Sequence, residues 1–349
     1  MMTRIDDYDF ELPGELVAQH PLACRSDARL MLVNRQDQSI SHYHVRDLPE
    51  LLATDDCLVI NNSRVIPARL IGFRTRTRGR WQGLVLDVDG DGRWEVMSTT
   101  RGRIQPGETV TLQDRNGIAG TELKMLAQLD GGTWAACPET DVGQEEILAQ
   151  YGRVPIPPYI RSGEMLDSDV ADYQTVYASR DGSVAAPTAG LHFTRELLDL
   201  LRARGNSIAE VTLHVGLGTF RPVACEQLED HSMHSEWGQL TQSDVSMVRQ
   251  SREAGGRVIA VGTTSTRILE AASLGGALAS WEGKTDIFIF PPFEFVSTDG
   301  LLTNFHLPRS TLLVMVRTFG GDSLVRRAYS EAIESGYRFY SYGDAMLIL

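Results

Sequence analysis

Two imidazoles and two carboxylates fall within seven residues in Asp230-His231-Ser232-Met233-His234-Ser235-Glu236. At this density they suit either a divalent metal site or general acid–base catalysis, and any one histidine taken alone also fits a hydrogen-bonded packing role. A second group, Gly262-Thr263-Thr264-Ser265-Thr266-Arg267, follows the apolar run Arg257-Val258-Ile259-Ala260-Val261 and opens a helix. Free backbone N–H groups and hydroxyls meet there, which suits a carboxylate or phosphate; the same residues also cap helices with no ligand at all. Gly182-Ser183-Val184-Ala185-Ala186-Pro187-Thr188-Ala189-Gly190-Leu191-His192-Phe193 is a loop of small residues. Its lack of bulk admits either a ligand or another backbone at close range. His214-Val215-Gly216-Leu217-Gly218-Thr219-Phe220 closes an apolar strand at 208–213. Its G-x-G lacks the third glycine of the dinucleotide fingerprint, which argues against a Rossmann cofactor.

Arg74, Arg76, Arg78 and Arg80 alternate with Thr75, Thr77 and Gly79. On a strand, that period of two sets all four guanidinium groups on one face, about 7 Å apart. The row suits a sugar–phosphate backbone, or an edge strand kept from pairing by its charge. With Arg64 and Arg69 it gives residues 61–80 six arginines and no acid, in a chain whose formal net charge is −13. Such a net charge opposes general nucleic-acid affinity, so the local distribution decides: residues 61–150 hold 11 basic and 12 acidic side chains and are close to neutral.

These groups must be positioned by elements of two kinds. Short strands at 64–71, 83–88, 93–98, 109–112, 121–126 and 133–137 are separated by turn clusters such as Asp89-Gly90-Asp91-Gly92, Gln105-Pro106-Gly107 and Asn116-Gly117, and six strands so spaced suggest a small antiparallel barrel. On either side, helices alternate with apolar runs at 257–261, 286–290 and 311–316, read as strands. That is α/β organisation. Thr194 and Gly205 bracket one helix, with Leu197, Leu198 and Leu201 on one face, and a second covers 244–254. Val154-Pro155-Ile156-Pro157-Pro158 is a stiff, extended boundary segment. The expected fold is therefore a discontinuous α/β domain, 1–60 and 151–349, with a small antiparallel β-barrel domain inserted at 61–150.

At 349 residues the chain has room for about two domains, and 42% hydrophobic with 23% charged residues excludes a disordered or collagenous chain. No apolar run approaches a spanning helix, and Met1-Met2-Thr3-Arg4-Ile5-Asp6-Asp7 has no basic-then-apolar leader, so a cytoplasmic protein without membrane contact is expected. Cys24, Cys57, Cys137 and Cys225 show no C-x-x-C spacing, against a disulfide scaffold or zinc ribbon.

Seven stretches occur together in one order: Asn61-Asn62-Ser63-Arg64-Val65-Ile66-Pro67-Ala68-Arg69, residues 185–193, 214–220, 230–236 and 262–267, Leu301-Leu302-Thr303-Asn304-Phe305-His306-Leu307-Pro308, and Tyr337-Arg338-Phe339-Tyr340-Ser341-Tyr342-Gly343-Asp344-Ala345-Met346. In these the chain resembles the S-adenosylmethionine:tRNA ribosyltransferase-isomerase family of queuosine biosynthesis, over nearly its whole length, with the interior of the β region least matched. It departs at Arg317-Thr318-Phe319-Gly320-Gly321, where Ser-Ala-Phe-Ala-Gly is familiar, and at Phe290-Pro291-Pro292-Phe293, where Tyr-Pro-Gly-Tyr is common. The resemblance implies transfer of the ribosyl part of S-adenosylmethionine to the aminomethyl group of a deazaguanine at the tRNA wobble position, giving epoxyqueuosine, adenine and methionine. S-adenosylmethionine is then a consumed cosubstrate, with no cofactor and no metal. The positive sulfur acidifies the adjacent ribose methylene and makes methionine a good leaving group, so a base is needed.

For proton transfer the expected residues are His231, His234 and Glu236, with Asp230 orienting an imidazole, followed by His192 and His214. Gly216, Gly218, Thr263, Thr264 and Ser265 are expected to hold the cosubstrate, the hydroxyl loop taking its carboxylate. Arg64, Arg69, Arg74, Arg76, Arg78 and Arg80 are expected on the tRNA backbone. The partners expected are tRNA carrying the aminomethyl-deazaguanine wobble base and S-adenosylmethionine, the protein itself being a monomer. Two other classes stay open, a non-catalytic tRNA-binding protein and a methyltransferase using the same cosubstrate; the missing glycine fingerprint counts against the latter.

Overall fold

Cys57-Leu58-Val59-Ile60-Asn61 is buried along its whole length, as a strand must be when both faces of its sheet are covered. In the computed structural model, which describes residues 4–216 and 225–349, it lies inside a nine-stranded mixed sheet. The strand order is Trp281–Thr285, Glu236–Leu240, Ser207–Leu213, Cys57–Asn61, Val258–Val261, Gly300–Asn304, Ala345–Ile348, Arg29–Val33 and Ile40–His44. Cys57–Asn61 runs parallel to both its neighbours, and Val258–Val261 is parallel to Gly300–Asn304. The period of two sends Val59 to one face, in a cluster with Val245, Val248, Ile268 and Leu269. It sends Leu58 and Ile60 to the other, in a cluster with Leu197, Leu198 and Leu201.

The helix Arg195–Arg204 begins where Thr194 Oγ1 accepts from the Leu197 N–H at 3.2 Å, and stops at Gly205, whose φ of 108° is left-handed. Gln242–Glu253 is capped in the same way by Thr241. Two expected strands are absent. Residues 311–316 form the start of a helix, Thr311–Gly320, initiated by Ser310 Oγ accepting from the Leu313 N–H at 3.2 Å; an apolar run without alternation fits a buried helix as well as a buried strand. Residues 286–290 are irregular, because the strand Trp281–Thr285 ends where Thr285 Oγ1 takes the Ile287 N–H, and Pro291-Pro292 cannot continue a ladder.

This sheet and its helices make up a unit of Met1–Arg64, Pro157–Ser162 and Ala171–Leu349; a second unit consists of Val65–Ile156 and Gly163–Val170. The second unit is a closed six-stranded antiparallel barrel. Its order is Arg69–Arg74, Arg80–Val88, Trp94–Thr100, Trp134–Pro138, Ala119–Gln128 and Thr109–Gln113, the last pairing back with the first. Closure needs Gly72, where a Cβ would stand 2.2 Å from the Thr111 carbonyl oxygen. Trp81, Trp94, Val96, Val110, Leu112, Leu123 and Met125 fill the interior. Every expected barrel strand is present except that the first starts at Arg69: Pro67 interrupts it, and Ser63–Val65 pairs with Arg180–Ser183 instead.

The arginine row is corrected. Arg74 ends one strand and Arg80 begins the next, joined by a turn in which Arg78 takes a φ of 58° and the Arg74 N–H donates to the Gly79 carbonyl at 2.8 Å. A stretch that alternates arginine with threonine and glycine has no apolar face to bury, so it turns. All four cysteines are free. Among the described residues no helix is long and apolar enough to cross a membrane.

Candidate active site

Four parallel strands end on one edge of the sheet, at Asn61, Leu213, Val261 and Asn304. Ligands of open α/β sheets bind outside such carboxyl ends, and an open cleft of about 700 Å³ lies there. Its walls come from residues 185–189, Val215, Gly262-Thr263-Thr264, Thr303-Asn304, His306, Tyr340-Ser341 and Tyr159.

Asn61-Asn62-Ser63 frames this edge. The Asn61 amide donates to the Leu213 carbonyl and accepts from its N–H, both at 3.1 Å, while Ser63 Oγ donates to the same carbonyl at 2.6 Å. Asn62 is held by Thr212 and Glu210, both at 2.8 Å. His214 stacks on Trp237 with ring centroids 5.1 Å apart, outside the cleft wall, and burial lowers its pKa. Gly182 packs on it: at a φ of 135°, a Cβ there would meet His214 Nε2 at 2.9 Å. The first part of the small-residue loop therefore admits a side chain, and its second part lines the cleft.

Asn304 is fixed by three bonds. Its oxygen accepts from Thr188 Oγ1 at 3.1 Å, and its Nδ2 donates to His192 Nε2 at 3.1 Å and to the Tyr340 carbonyl at 3.2 Å. His192 is buried behind the wall; burial, then Arg338 and Arg25, bring its pKa down to about 3. His306 is the imidazole that lines the cleft. Its Nε2 lies 2.7 Å from Thr303 Oγ1, and burial lowers its pKa to about 3, so it stands unprotonated at neutral pH. Tyr159 and Tyr340 have ring centroids 4.9 Å apart, and burial pushes the Tyr159 hydroxyl up to about 12.

Thr263 and Thr264 reach the cleft from the first turn of the helix Thr263–Ala271, which no side chain caps. Thr264 Oγ1 is buried without a partner among the described residues. Ser265 is a correction: its hydroxyl is buried and donates to the Val261 carbonyl at 2.9 Å, as serines inside helices do. Gly216 gives its N–H to Glu236 Oε1 at 2.7 Å, and Gly218 lies outside the described residues.

The 230–236 cluster does not act as one group. Asp230 and His234 are exposed, and no hydrogen bond joins Asp230 to either imidazole among the described residues. His231 packs edge-on against Phe288, its pKa lowered by burial and by His234. Glu236 is buried in an ion pair with Arg267, whose Nε and Nη2 find no partner among the described residues. None of the four lines the cleft, although Glu236 starts its strand on the same sheet edge. Among the described residues no group of three His, Cys, Asp or Glu side chains is arranged to hold a metal ion.

Of the six arginines, Arg69 donates to the Gly163 carbonyl and to Gln82, Arg74 is paired with Glu108, and Arg64 donates to the Ala178 carbonyl 2.8 Å away. Arg76, Arg78 and Arg80 are exposed. His306, Asn304, Thr188, Tyr159 and Tyr340 were not among the residues expected from local chemistry. The signal available for most of them was membership of the ordered stretches 185–193, 301–308 and 337–346.

The family profile described as "Queuosine biosynthesis protein" matches residues 5–348. The chain belongs to this family. It is 46% identical over 347 residues to the S-adenosylmethionine:tRNA ribosyltransferase-isomerase of Desulfitobacterium hafniense, covering 99% of this chain and 100% of that one. It is 47% identical over 347 residues to the protein of the same name from Symbiobacterium thermophilum, again covering 99% and 100%. Among solved structures it is similar to the crystal structure of S-adenosylmethionine tRNA ribosyltransferase from Thermotoga maritima, at 34% identity and a TM-score of 0.56, covering 98% of this chain and 100% of that one. The resemblance read in the seven ordered stretches is thus borne out at the level of the family.

Proposed function

We propose that the protein is an S-adenosylmethionine:tRNA ribosyltransferase-isomerase, a transferase that moves and isomerises the ribosyl part of S-adenosylmethionine onto the aminomethyl-deazaguanine at the tRNA wobble position. The products are epoxyqueuosine in the tRNA, adenine and methionine. One observation carries the reading: five of the seven ordered stretches meet around a single cleft at the carboxyl ends of the parallel strands, in a chain that matches its relatives from end to end.

The chemistry assigns work to this cleft. A base takes a proton from the ribose methylene that the sulfonium acidifies, adenine leaves with its glycosidic electron pair and takes up a proton, the amine forms the new carbon–nitrogen bond and gives up a proton, the ribosyl carbons close a carbon–carbon bond, and the ribose oxygen closes the epoxide by displacing methionine, which departs with the electron pair of its carbon–sulfur bond. His306, the imidazole that lines the cleft, stands unprotonated at neutral pH and offers the substrate a hydrogen-bonding nitrogen, while the burial that lowers its pKa makes it a weak base. The uncapped N–H groups of Thr263 and Thr264, with the unpartnered Thr264 hydroxyl, suit the cosubstrate carboxylate. The rings of Tyr159 and Tyr340 offer adenine an aromatic wall.

Incubation with S-adenosylmethionine and tRNA carrying the aminomethyl base should release adenine and methionine in equal amounts as the base is modified. S-adenosylhomocysteine in their place would make the protein a methyltransferase, and tight tRNA binding without turnover would make it a binding protein.

A further inference from the structure

We propose that one end of the barrel is the docking surface for the phosphate backbone of the tRNA, through five arginines on two stitched loops. Arg76, Arg78 and Arg80 belong to the hairpin joining Arg69–Arg74 to Arg80–Val88, and Arg101 and Arg103 to the connection between Trp94–Thr100 and Thr109–Gln113. All five side chains are exposed, and none has an ion-pair partner among the described residues. The partner class follows from the reading of the protein as a tRNA-modifying enzyme, on which this inference rests.

Arg74, which looks like a member of a basic row in the sequence, instead holds the surface together. Its Nε and Nη2 grip the two oxygens of Glu108 at 2.5 and 2.8 Å, a bidentate fork. The same guanidinium donates to the Arg101 carbonyl at 3.1 Å and the Arg103 carbonyl at 3.2 Å, so one side chain pins the second loop against the first. Thr100 Oγ1 adds a bond to the Arg80 carbonyl at 2.6 Å. Arg78 is fixed by lying over the Phe73 ring, its guanidinium carbon 3.5 Å from the centroid. Glu108 is the one acid on these two loops, and Arg74 neutralises it; the third connection at this end of the barrel carries Asp130. The outcome is five positive charges carried on two loops whose backbones are pinned together, on a chain of net charge −13. On a chain whose net charge opposes a polyanion, such a field both attracts RNA and orients it. Contacts of this kind supply position and affinity without reading sequence.

The test uses the full chain, with the pairs Arg101→Ser/Arg103→Ser and Arg76→Ser/Arg80→Ser, and their lysine counterparts. tRNA binding is measured across a salt series. Each serine pair should weaken binding about tenfold or more at low salt and flatten the plot of log K against log salt by about one to two, for tRNA with and without the modified base alike. S-adenosylmethionine binding and the melting temperature should stay at the parental values. The lysine pairs should keep most of the slope. An unchanged slope in both serine pairs would overturn the proposal, as would equal losses in the lysine pairs, which keep the charge. A protein that binds tRNA with the full salt dependence yet releases no adenine would sink the transferase reading and leave this surface standing.

Discussion

Glu236 has one oxygen on the Gly216 amide and the other on Arg267, and this arrangement decides what the residue can do. Both oxygens are engaged, so the carboxylate fixes Gly216 beside Val215 at the cleft. Glu236→Gln would leave Arg267 buried without its counter-charge, at a cost of about 3–5 kcal/mol, and the melting temperature should drop sharply. His234→Ala, at an exposed position, should change stability by no more than about 0.5 kcal/mol. Comparable melts for the two variants would contradict this division. Chelators should leave turnover intact, because the sulfonium supplies the electrophilic activation; activity lost with EDTA and restored by one added metal would reverse that expectation. His192 and His306, the most deeply buried of the imidazoles with lowered pKa values, contribute to the acid response. Both have folded pKa values near 3, below the usual 6.5, so the unfolded chain binds more protons than the folded one between those limits. Their contribution to stability is complete above about pH 6.5 and is lost as pH falls toward 3. Replacing either by Gln should flatten the slope of unfolding free energy against pH by about 1.4 kcal/mol per unit between about pH 4 and 6. An unaltered slope in chemical denaturation series would show that the histidine is not held neutral.

The helix Thr311–Gly320 owes its start to Ser310. Ser310→Ala should cost about 1 kcal/mol, read as a lower denaturant midpoint, and no change would mean that packing alone sets the helix start. The same helix shows where the sequence is silent. Thr311-Leu312-Leu313-Val314-Met315-Val316 is apolar at nearly every position, so neither period stands out, and the deciding serine lies outside the run. Six barrel strands were legible because turn clusters bound them, and Arg195–Arg204 because Thr194 and Gly205 mark its ends. The arginine turn is not legible, because its alternation imitates a strand although no apolar face supports one. At the site, Thr263 and Thr264 are legible as hydroxyl groups following an apolar strand, and residues 185–189 as part of a loop of small residues. Asn304 and His192 were not legible as a pair, since the hydrogen bond joining them spans 112 residues of sequence. The conspicuous cluster at 230–236 drew attention by local density, whereas His306 stands alone in its stretch and gains its place only through the sheet.

At the scale of the whole molecule, the order of the chain and the order of the sheet disagree. Cys57–Asn61 pairs with Ser207–Leu213 and with Val258–Val261, whereas each barrel strand finds its neighbours within the segment that separates them. Contacts at long sequence separation form slowly, so in refolding from denaturant the barrel amides should become protected before those of Cys57–Asn61 and Val258–Val261. Pulse-labelled hydrogen exchange checks this, and simultaneous protection would contradict it. The burial of Cys57-Leu58-Val59-Ile60 has a further meaning on the ribosome. The bond from the Cys57 N–H to the Arg257 carbonyl awaits a residue made 200 positions later, which at about 5–20 residues per second is on the order of 10–40 s of synthesis. Through that interval an apolar, β-prone tetrapeptide waits without its partners, and the nascent chain depends on chaperones or on speed of translation to carry it to the finished sheet.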